Sequence, residues 1–286
     1  LYLYGSMPQE EIISSMLDTE DGGFLISTRC GKIYKDNGSG QKQQIHNCQK
    51  PIRKLFSDSK GRLWVGLLQG GVIMLENGKT REFPAPVEDA RTMCEDKHGN
   101  ILVGSSGCLF TILTSGEIKM ENPGTPGAHS ITNIFRDTDG NIWIGTFYNG
   151  IFYSNSERCP FSRSSIEGLE KVKLVNDIVQ DSRKNLWIAT DQYGLYHMSE
   201  GRLQEIPGTR EYKIKSLAYD ADEDCLWVGR DRASLLRYDI GQKSWKEIQF
   251  HHDGATIPMA GANVIRRHAG EFLIGSSQGL WKFNPR

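Results

Sequence analysis

The chain has 286 residues, of which 38% are hydrophobic and 24% charged, a composition typical of a globular protein with a large core. Its 34 Lys and Arg balance 35 Asp and Glu, so no basic field is available for a phosphate backbone, and we expect no nucleic-acid partner. No apolar run approaches the roughly 20 residues that span a bilayer, and residues 1–6 lack the features of a signal peptide, so we expect no membrane insertion by this segment.

One short motif recurs along the chain. Asp58 to Gly66 reads DSKGRLWVG, and Asp137 to Gly145 reads DTDGNIWIG. Weaker copies cover residues 18–27, 96–104, 181–189, 220–229 and 267–275, which makes seven copies in all. Aligned on the Trp position, the seven anchors are Leu25, Trp64, Leu102, Trp143, Trp187, Trp227 and Leu273. Their spacings of 39, 38, 41, 44, 40 and 46 residues are typical of four-stranded propeller blades.

Each copy predicts the same series of strands. An alternating apolar run such as residues 131–135 leads through an Asp and Gly turn to a second run, which predicts a hairpin. A loop that usually contains Gly leads to a third run such as residues 195–196, and a more variable fourth strand follows, as at residues 203–206. A small residue stands two positions after every anchor, for example Gly66 and Gly145, which implies close approach of a neighbouring backbone or large side chain.

The seven copies predict an all-β fold, a seven-bladed β-propeller of four-stranded antiparallel blades forming a single domain over residues 1–286. The seventh copy has no fourth strand of its own, since the chain ends at Arg286. We expect Leu1 to Tyr4 to complete it by pairing beside Leu280 to Phe283. In the alternative, Leu1 to Tyr4 is the third strand of an upstream repeat and the chain is a piece of a longer array.

The pattern of Asp, turn, Gly, Asn or Arg, Leu or Ile, Trp, Ile or Val, Gly, then a loop, Gly and an aromatic strand resembles the two-component regulator propeller repeat. Asp137 to Tyr153 is the clearest instance, and the copies anchored at Trp64, Trp143 and Trp187 are the strongest. That family forms periplasmic sensor regions of hybrid two-component histidine kinases. The resemblance therefore implies a periplasmic sensor module whose neighbours are further propeller and signalling domains of a parent chain.

Metal or redox chemistry has little support in the sequence. The six cysteines form no CxxC pair, so we expect no metal site and mostly unpaired thiols, with a local bridge between Cys94 and Cys108 as the exception to consider. The adjacent His251 and His252 would point to opposite faces of a strand, so we interpret them as a solvated loop pair. No nucleotide or hydrolase motif occurs, and we expect no cofactor and no enzymatic activity.

The predicted binding surface consists of the loops that enter each first strand and those that join the second strand to the third. These loops vary from copy to copy on a constant scaffold, as functional loops do, and they carry aromatic and polar residues. The candidate ligand-binding residues are Arg29, Gln69, His129, Phe147, Tyr148, Asp191, Gln192, Tyr193, Arg230, Arg232 and Gln278.

We therefore expect a ligand-sensing module that recognises a glycan or another small polar ligand and signals to a kinase outside this segment. A homodimer is compatible with the sequence. Two alternatives stay open: a carbohydrate-active propeller enzyme, either a lyase or a glycosidase with carboxylates from distant blades, and a protein interaction scaffold.

Overall fold

The computed structural model of the chain describes residues 2–5, 11–19, 21–37, 41–84, 89–121, 130–155, 162–163, 168–169, 172–231, 234–252, 255–257, 261–268, 270–276 and 279–284. The chain is all-β, a propeller with seven four-stranded antiparallel blades, as the repeat count predicts. Within the part of the chain that is described, no helix has the length and hydrophobicity to cross a bilayer.

The strands follow the order of the repeats. The first strand, β1 (Tyr2–Gly5), belongs to blade 7. Blade 1 contains β2 (Ile13–Asp18), β3 (Phe24–Thr28), β4 (Lys32–Asp36) and β5 (Lys42–Asn47). Blade 2 contains β6 (Ile52–Ser57), β7 (Leu63–Leu67), β8 (Val72–Glu76) and β9 (Lys79–Phe83). Blade 3 contains β10 (Thr92–Glu95), β11 (Ile101–Gly104), β12 (Leu109–Ile112) and β13 (Ile118–Glu121). Blade 4 contains β14 (Ile131–Arg136), β15 (Ile142–Thr146), β16 (Ile151–Ser154) and β17 (Ser162–Arg163).

The remaining blades continue the series. Blade 5 contains β18 (Val175–Gln180), β19 (Leu186–Thr190), β20 (Leu195–Ser199) and β21 (Arg202–Glu205). Blade 6 contains β22 (Ile214–Asp220), β23 (Cys225–Arg230), β24 (Leu235–Asp239) and β25 (Ser244–Ile248). A separate hairpin of β26 (Phe250–His252) and β27 (Ala255–Ile257) follows. Blade 7 contains β28 (Val264–His268), β29 (Glu271–Ser276) and β30 (Gly279–Phe283), with β1 as its fourth strand.

The pairing of β1 with β30 confirms the predicted closure of the seventh blade. The two strands are antiparallel, with Tyr2 opposite Lys282 and Leu3 opposite Trp281. Leu1 itself lies outside the described residues. β1 is thus the fourth strand of blade 7 and not the third strand of an upstream repeat.

The hairpin β26–β27 corrects one prediction. The sequence predicts a solvated loop pair at His251 and His252, but the two histidines lie in β26 opposite Thr256 and Ala255. The longer spacing of 46 residues between the last two anchors accommodates this insertion.

The chain divides into two compact units, Leu1–Ile52 with Lys213–Arg286, and Arg53–Tyr212. In both, the core lies between neighbouring blades. In the second unit, Trp143 and Val175 belong to one buried cluster between blades 4 and 5. In the first unit, Trp227 and Phe272 pack between blades 6 and 7, with ring centroids 5.3 Å apart.

The Asp of the repeat explains why each first hairpin forms. Asp137 Oδ1 accepts the backbone N–H groups of Asp139 (3.0 Å) and Asn141 (2.8 Å), while Oδ2 accepts the Asn141 amide and the Trp143 indole N–H, both at 2.9 Å. One carboxylate thus holds the turn and satisfies the polar atom of the buried anchor. The same indole bond joins Trp64 to Asp58 (2.7 Å), Trp187 to Asp181 (3.0 Å) and Trp227 to Asp220 (3.4 Å).

The close approach of a neighbouring blade, predicted for the small residue two positions after the anchor, is present at Gly145 and Gly66. A Cβ at Gly145 would lie 2.5 Å from Val175 Cγ1 of the next blade, and one at Gly66 would lie 2.6 Å from the Ala90 carbonyl oxygen. These positions are too close for any side chain, so glycine sets the spacing between neighbouring blades.

Candidate functional site

Two second-to-third-strand loops of the second unit share one construction. The loop after β15 runs from Thr146 to Gly150, and the loop after β19 from Thr190 to Gly194. In each, the threonine hydroxyl donates to the glycine carbonyl at 2.7 Å. The buried threonines therefore hold the two loops in the same shape.

The three residues between threonine and glycine differ between the two loops. Tyr148 is 66% exposed and Tyr193 is 36% exposed, although they occupy non-equivalent positions. Phe147 is half-buried and meets Tyr148 edge to face, with ring centroids 4.6 Å apart. Gln192 stands where the other loop has Tyr148. The constant loop shape thus presents different side chains from blade to blade, as the sequence predicted.

A series of backbone hydrogen bonds links these two loops. Phe147 N–H donates to the Ser130 carbonyl at 2.9 Å, and Leu174 N–H donates to the Phe147 carbonyl at 2.8 Å. Asp191 N–H then donates to the Leu174 carbonyl at 2.8 Å. The structure therefore brings the predicted residues of blades 4 and 5 together and fixes their backbones relative to each other. We call residues 147–149 and 191–193 the aromatic loop pair.

The backbone of the aromatic loop pair carries one unusual conformation. Gln192 has φ of 101°, outside the region that non-glycine residues adopt at low cost. Strain of this kind costs about 1–3 kcal/mol and concentrates at binding sites. The conformation places Gln192 and Tyr193 in exposed positions at the tip of the loop.

A polar network beside these loops was missed by sequence reasoning. Arg91 lies before β10 and donates from Nε to Asp89 Oδ2 and from Nη1 to Ser130 Oγ, both at 2.5 Å. Ser106 N–H donates to Asp89 Oδ1 at 2.7 Å. Burial raises the pKa of Asp89, but the hydrogen bonds from Arg91 and Ser106 outweigh it and hold that pKa below its usual value. In the sequence, the signal for this polar network was that the residues before each first strand differ from copy to copy.

Gln69 lies in the loop after β7 and is exposed, as expected. Its neighbour Leu68 is also exposed, at 36%, and was not among the predicted residues. The loop is tied to the next blade by the Ala90 N–H, which donates to the Leu67 carbonyl at 2.9 Å. An exposed apolar residue in a loop of this kind adds to a binding surface but does not define one.

In the first unit, Arg29 is exposed in the loop after β3, and Arg230 ends β23. The Arg230 guanidinium is already engaged: Nε donates to the Ser234 carbonyl at 3.2 Å, and Nη2 lies 3.1 Å from Glu247 Oε1. Arg230 therefore stabilises the loop that follows β23, and it stands at the position that Thr146 and Thr190 occupy in blades 4 and 5. A ligand carboxylate would compete with Glu247 for it.

Three predicted ligand-binding residues, His129, Arg232 and Gln278, lie outside the described residues. Among the residues that are described, no group of three or more His, Cys, Asp and Glu side chains could hold a metal ion. Cys30, Cys48, Cys94, Cys108 and Cys225 are free thiols, so Cys94 and Cys108 form no bridge. Cys159 lies outside the described residues.

The comparisons with solved structures give similar folds from several kinds of protein. The extracellular domain of the putative one-component system BT4673 from B. thetaiotaomicron has a TM-score of 0.81 at 21% identity, over 97% of this chain and 39% of that one. The extracellular domain of the putative hybrid two-component system BT3049 from the same organism has a TM-score of 0.78 at 23% identity, over 99% and 41%. The chain thus spans about two fifths of these proteins' length.

Virginiamycin B lyase from Staphylococcus aureus is similar over its whole length, with a TM-score of 0.78 at 14% identity, over 99% of this chain and 97% of that one. Identities this low show a shared propeller fold only. No curated protein sequence matches the chain.

A family model described as "two component regulator propeller" matches residues 126–148 and 171–192. The two ranges contain the anchors Trp143 and Trp187, which belong to two of the three copies with the strongest sequence pattern. The copy anchored at Trp64, also among the strongest, is not matched. Two of the seven repeats of this chain are therefore similar to the two-component regulator propeller repeat.

Proposed function

We propose that this chain is a ligand-sensing module that recognises a glycan through the aromatic loop pair and passes the signal to a kinase outside this segment. The observation that carries the proposal is the exposure of two tyrosines on loops whose backbones are fixed by threonine and by the bonds between blades. Tyrosine carries an aromatic face and a hydroxyl on one side chain with few rotatable bonds, so tyrosines exposed on fixed loops are suited to recognition.

The chemistry of the aromatic loop pair suits a sugar. Tyr148 and Tyr193 present flat apolar faces that can pack against the C–H faces of a pyranose ring, and their hydroxyls can bond at the same time. Gln192 and Asn149 supply amide donors and acceptors beside them. A mixture of apolar contact with a few directed polar groups is what a specific small-molecule site requires.

The similarity to extracellular domains of one-component and two-component systems supports a sensor in the periplasm, with adjacent propeller or signalling domains as partners. Those titles describe the other proteins, and this chain corresponds to only part of them. Signal transfer therefore belongs to the proposal.

The test is calorimetric titration of the folded protein with a panel of oligosaccharides, with reducing ends assayed in the same samples. Binding without new reducing ends is the expected result. For a glycan that binds, Tyr148→Ala and Tyr193→Ala should each weaken affinity by more than about 1 kcal/mol, as anchor residues do. Asp139→Ala in the turn before β15 is the control and should leave affinity unchanged. Equal affinity in all three variants would remove the aromatic loop pair from consideration.

Virginiamycin B lyase is an enzyme by its name and shares the propeller fold, so an enzyme stays as the second candidate; its carbohydrate-active form is the alternative that the sequence left open. The same assay separates the two functions. New reducing ends, or the absorbance of an unsaturated product, would favour the enzyme, since a sensor releases its ligand unchanged.

A further inference from the structure

Two cysteines that are distant in the sequence lie on neighbouring segments of blade 1. Cys30 belongs to the loop between β3 and β4, and Cys48 directly follows β5. The ladder of β4 and β5 pairs Lys32 with Asn47. It continues one residue further, where the Cys48 N–H donates to the Gly31 carbonyl at 2.8 Å. Residues joined in this way have Cα atoms about 5.5 Å apart, and Cys30 is the chain neighbour of one of the two.

The loop of Cys30 packs tightly against the segment that follows Cys48. Gly31 has φ of 93°, and a Cβ there would lie 2.7 Å from the Lys50 carbonyl oxygen and 3.3 Å from the Gln49 backbone nitrogen. The positive φ of Gly31 turns Cys30 out of the regular alternation of a strand. In strand geometry, a residue one step from a paired position lies about 6 Å from the opposite Cα, within the roughly 4.4–6.8 Å that disulfides span.

The same loop is held less firmly than its counterparts in blades 4 and 5. The Thr28 hydroxyl donates to the Lys32 carbonyl over 3.3 Å, whereas the corresponding bonds of the aromatic loop pair measure 2.7 Å. The Thr28 hydroxyl also lies 3.1 Å from Cys30 Sγ. The outer strand β5 is largely exposed, and its register with β4 is irregular beside Tyr34. A covalent link between the loop and the end of β5 would therefore fix a weakly held part of the blade.

The other cysteines that the structure describes are less suited to disulfide exchange. Burial raises the pKa of Cys94 to about 12 and of Cys225 to about 11, and it also raises the pKa of Cys108. The thiolate is the attacking species in exchange, so these three thiols react slowly. Cys30 is exposed and Cys48 is half-buried, so an oxidant in solution can reach this pair first.

We propose that Cys30 and Cys48 form a disulfide in an oxidising compartment and that the bond fixes the β3–β4 loop to the end of β5. The Cys30 thiolate attacks a disulfide oxidant, which gives a mixed disulfide and releases one thiol of the oxidant. Cys48 then attacks Cys30 Sγ, the bond between the two cysteines forms, and the second thiol of the oxidant leaves. Two electrons and two protons thus pass from the protein to the oxidant. The inference involves no glycan and is independent of the proposed function.

The experiment treats the folded chain, at low concentration and about pH 8, with a mixture of reduced and oxidised glutathione. The remaining thiols are blocked, and the protein is digested with trypsin without reductant and analysed by mass spectrometry. Trypsin releases Cys30 within residues 30–32 and Cys48 within residues 43–53. The expected main product is the linked pair of these two peptides, which separates on reduction. In the fully reduced protein both cysteines are thiols and remain open to a thiol reagent.

The disulfide should also be visible in thermal unfolding. A bond that closes a loop of this length restricts the unfolded chain, so the oxidised protein should melt at least about 5 °C above the reduced protein. Equal melting temperatures of the two forms would overturn the role of the bond in fixing the blade.

Three serine variants provide the controls. Cys30→Ser should stay folded, because Cys30 is exposed, and should lose both the linked peptides and the shift in melting temperature. Cys48→Ser should also lose them, while Cys30 keeps glutathione as a mixed disulfide. Cys108→Ser replaces another half-buried thiol and should keep the linked peptides and the shift. A parent protein in which Cys30 stays bound to glutathione, links to Cys159 or joins two chains would overturn the proposed bond.

Discussion

The Asp of each repeat supports a quantitative prediction, because two copies differ in a single hydrogen bond. Asp181 accepts four bonds: the backbone N–H groups of Arg183 and Asn185 at 2.9 Å, and the Asn185 amide and Trp187 indole at 3.0 Å. Asp181→Ala removes all four and leaves the indole N–H of the fully buried Trp187 without an acceptor. At about 1 kcal/mol for each bond, with a further penalty for the buried donor, the loss of unfolding free energy is about 5 kcal/mol.

Asp96 provides the comparison within the same unit. It accepts only three bonds, from the backbone N–H groups of His98 (2.8 Å) and Asn100 (2.9 Å) and from the Asn100 amide (2.9 Å). The anchor of this copy is Leu102, which has no polar atom to satisfy. Asp96→Ala should therefore cost about 3 kcal/mol, roughly 2 kcal/mol less than Asp181→Ala.

Thermal unfolding followed by circular dichroism measures the difference. For a protein of this size, 1 kcal/mol corresponds to about 2–4 °C in melting temperature, so Asp181→Ala should melt at least about 4 °C below Asp96→Ala. Asp181→Asn should be nearly as unstable as Asp181→Ala, because the introduced NH2 group would face the Asn185 amide and the Trp187 indole N–H, which are both donors. Equal melting temperatures for Asp181→Ala and Asp96→Ala would refute the idea that the carboxylate stabilises the fold through the buried anchor.

Three further predictions concern turns, pH and thiols. Lys184 occupies the position of the turn glycine with φ of 66°, so Lys184→Gly should raise unfolding free energy by about 0.5 kcal/mol, whereas Lys184→Ala, which keeps the strain, should not. Burial raises the pKa of Asp58, but hydrogen bonds from the anchor indole and the turn outweigh it and hold the pKa below its usual value of 3.8, so the unfolded state binds the proton more readily. The stability that Asp58 contributes is therefore present above about pH 4 and is lost as pH falls through the folded pKa. Urea titrations at several pH values should show that the unfolding free energy depends less on acid pH in Asp58→Asn than in the parent protein. An unchanged acid dependence would contradict this. Burial raises the pKa of Cys94 to about 12 and of Cys225 to about 11, so a thiol reagent at pH 8 should label the exposed Cys30 first and reach these two only on unfolding, as peptide mapping would show.

The fold was predictable because its period arises from local contacts. The Asp, the turn and the Trp anchor lie within seven residues and bond to one another, so each hairpin is readable from its own copy. The missing fourth strand of the last copy likewise indicated the pairing of β1 with β30. The hairpin β26–β27 could not be predicted, because its only signal was an interval a few residues longer than the others.

The candidate sites were less predictable, since they depend on register and on side-chain partners. Exposure of Tyr148 and Tyr193 followed from their loop positions. The engagement of Arg230 with Glu247 joins residues 17 apart on different strands and has no local pattern. The approach of Cys48 to the loop of Cys30 likewise requires the register of β4 and β5, which the residues of these strands do not determine by themselves.

The pairing of Tyr2 with Lys282 has a mechanical consequence. β1 and β30 are antiparallel, and Tyr2 stands at the start of β1 while Lys282 stands near the end of β30. A segment joined before Tyr2 and a segment joined after Phe283 would therefore be attached to blade 7 at the same end of two adjacent strands. Tension between two such attachments loads the hydrogen bonds one pair at a time, as in opening a zipper, and not all together, as in shear. Under such a load we expect blade 7 to open from this end, with the force reaching Leu3 and Trp281 only after the outer pair has opened.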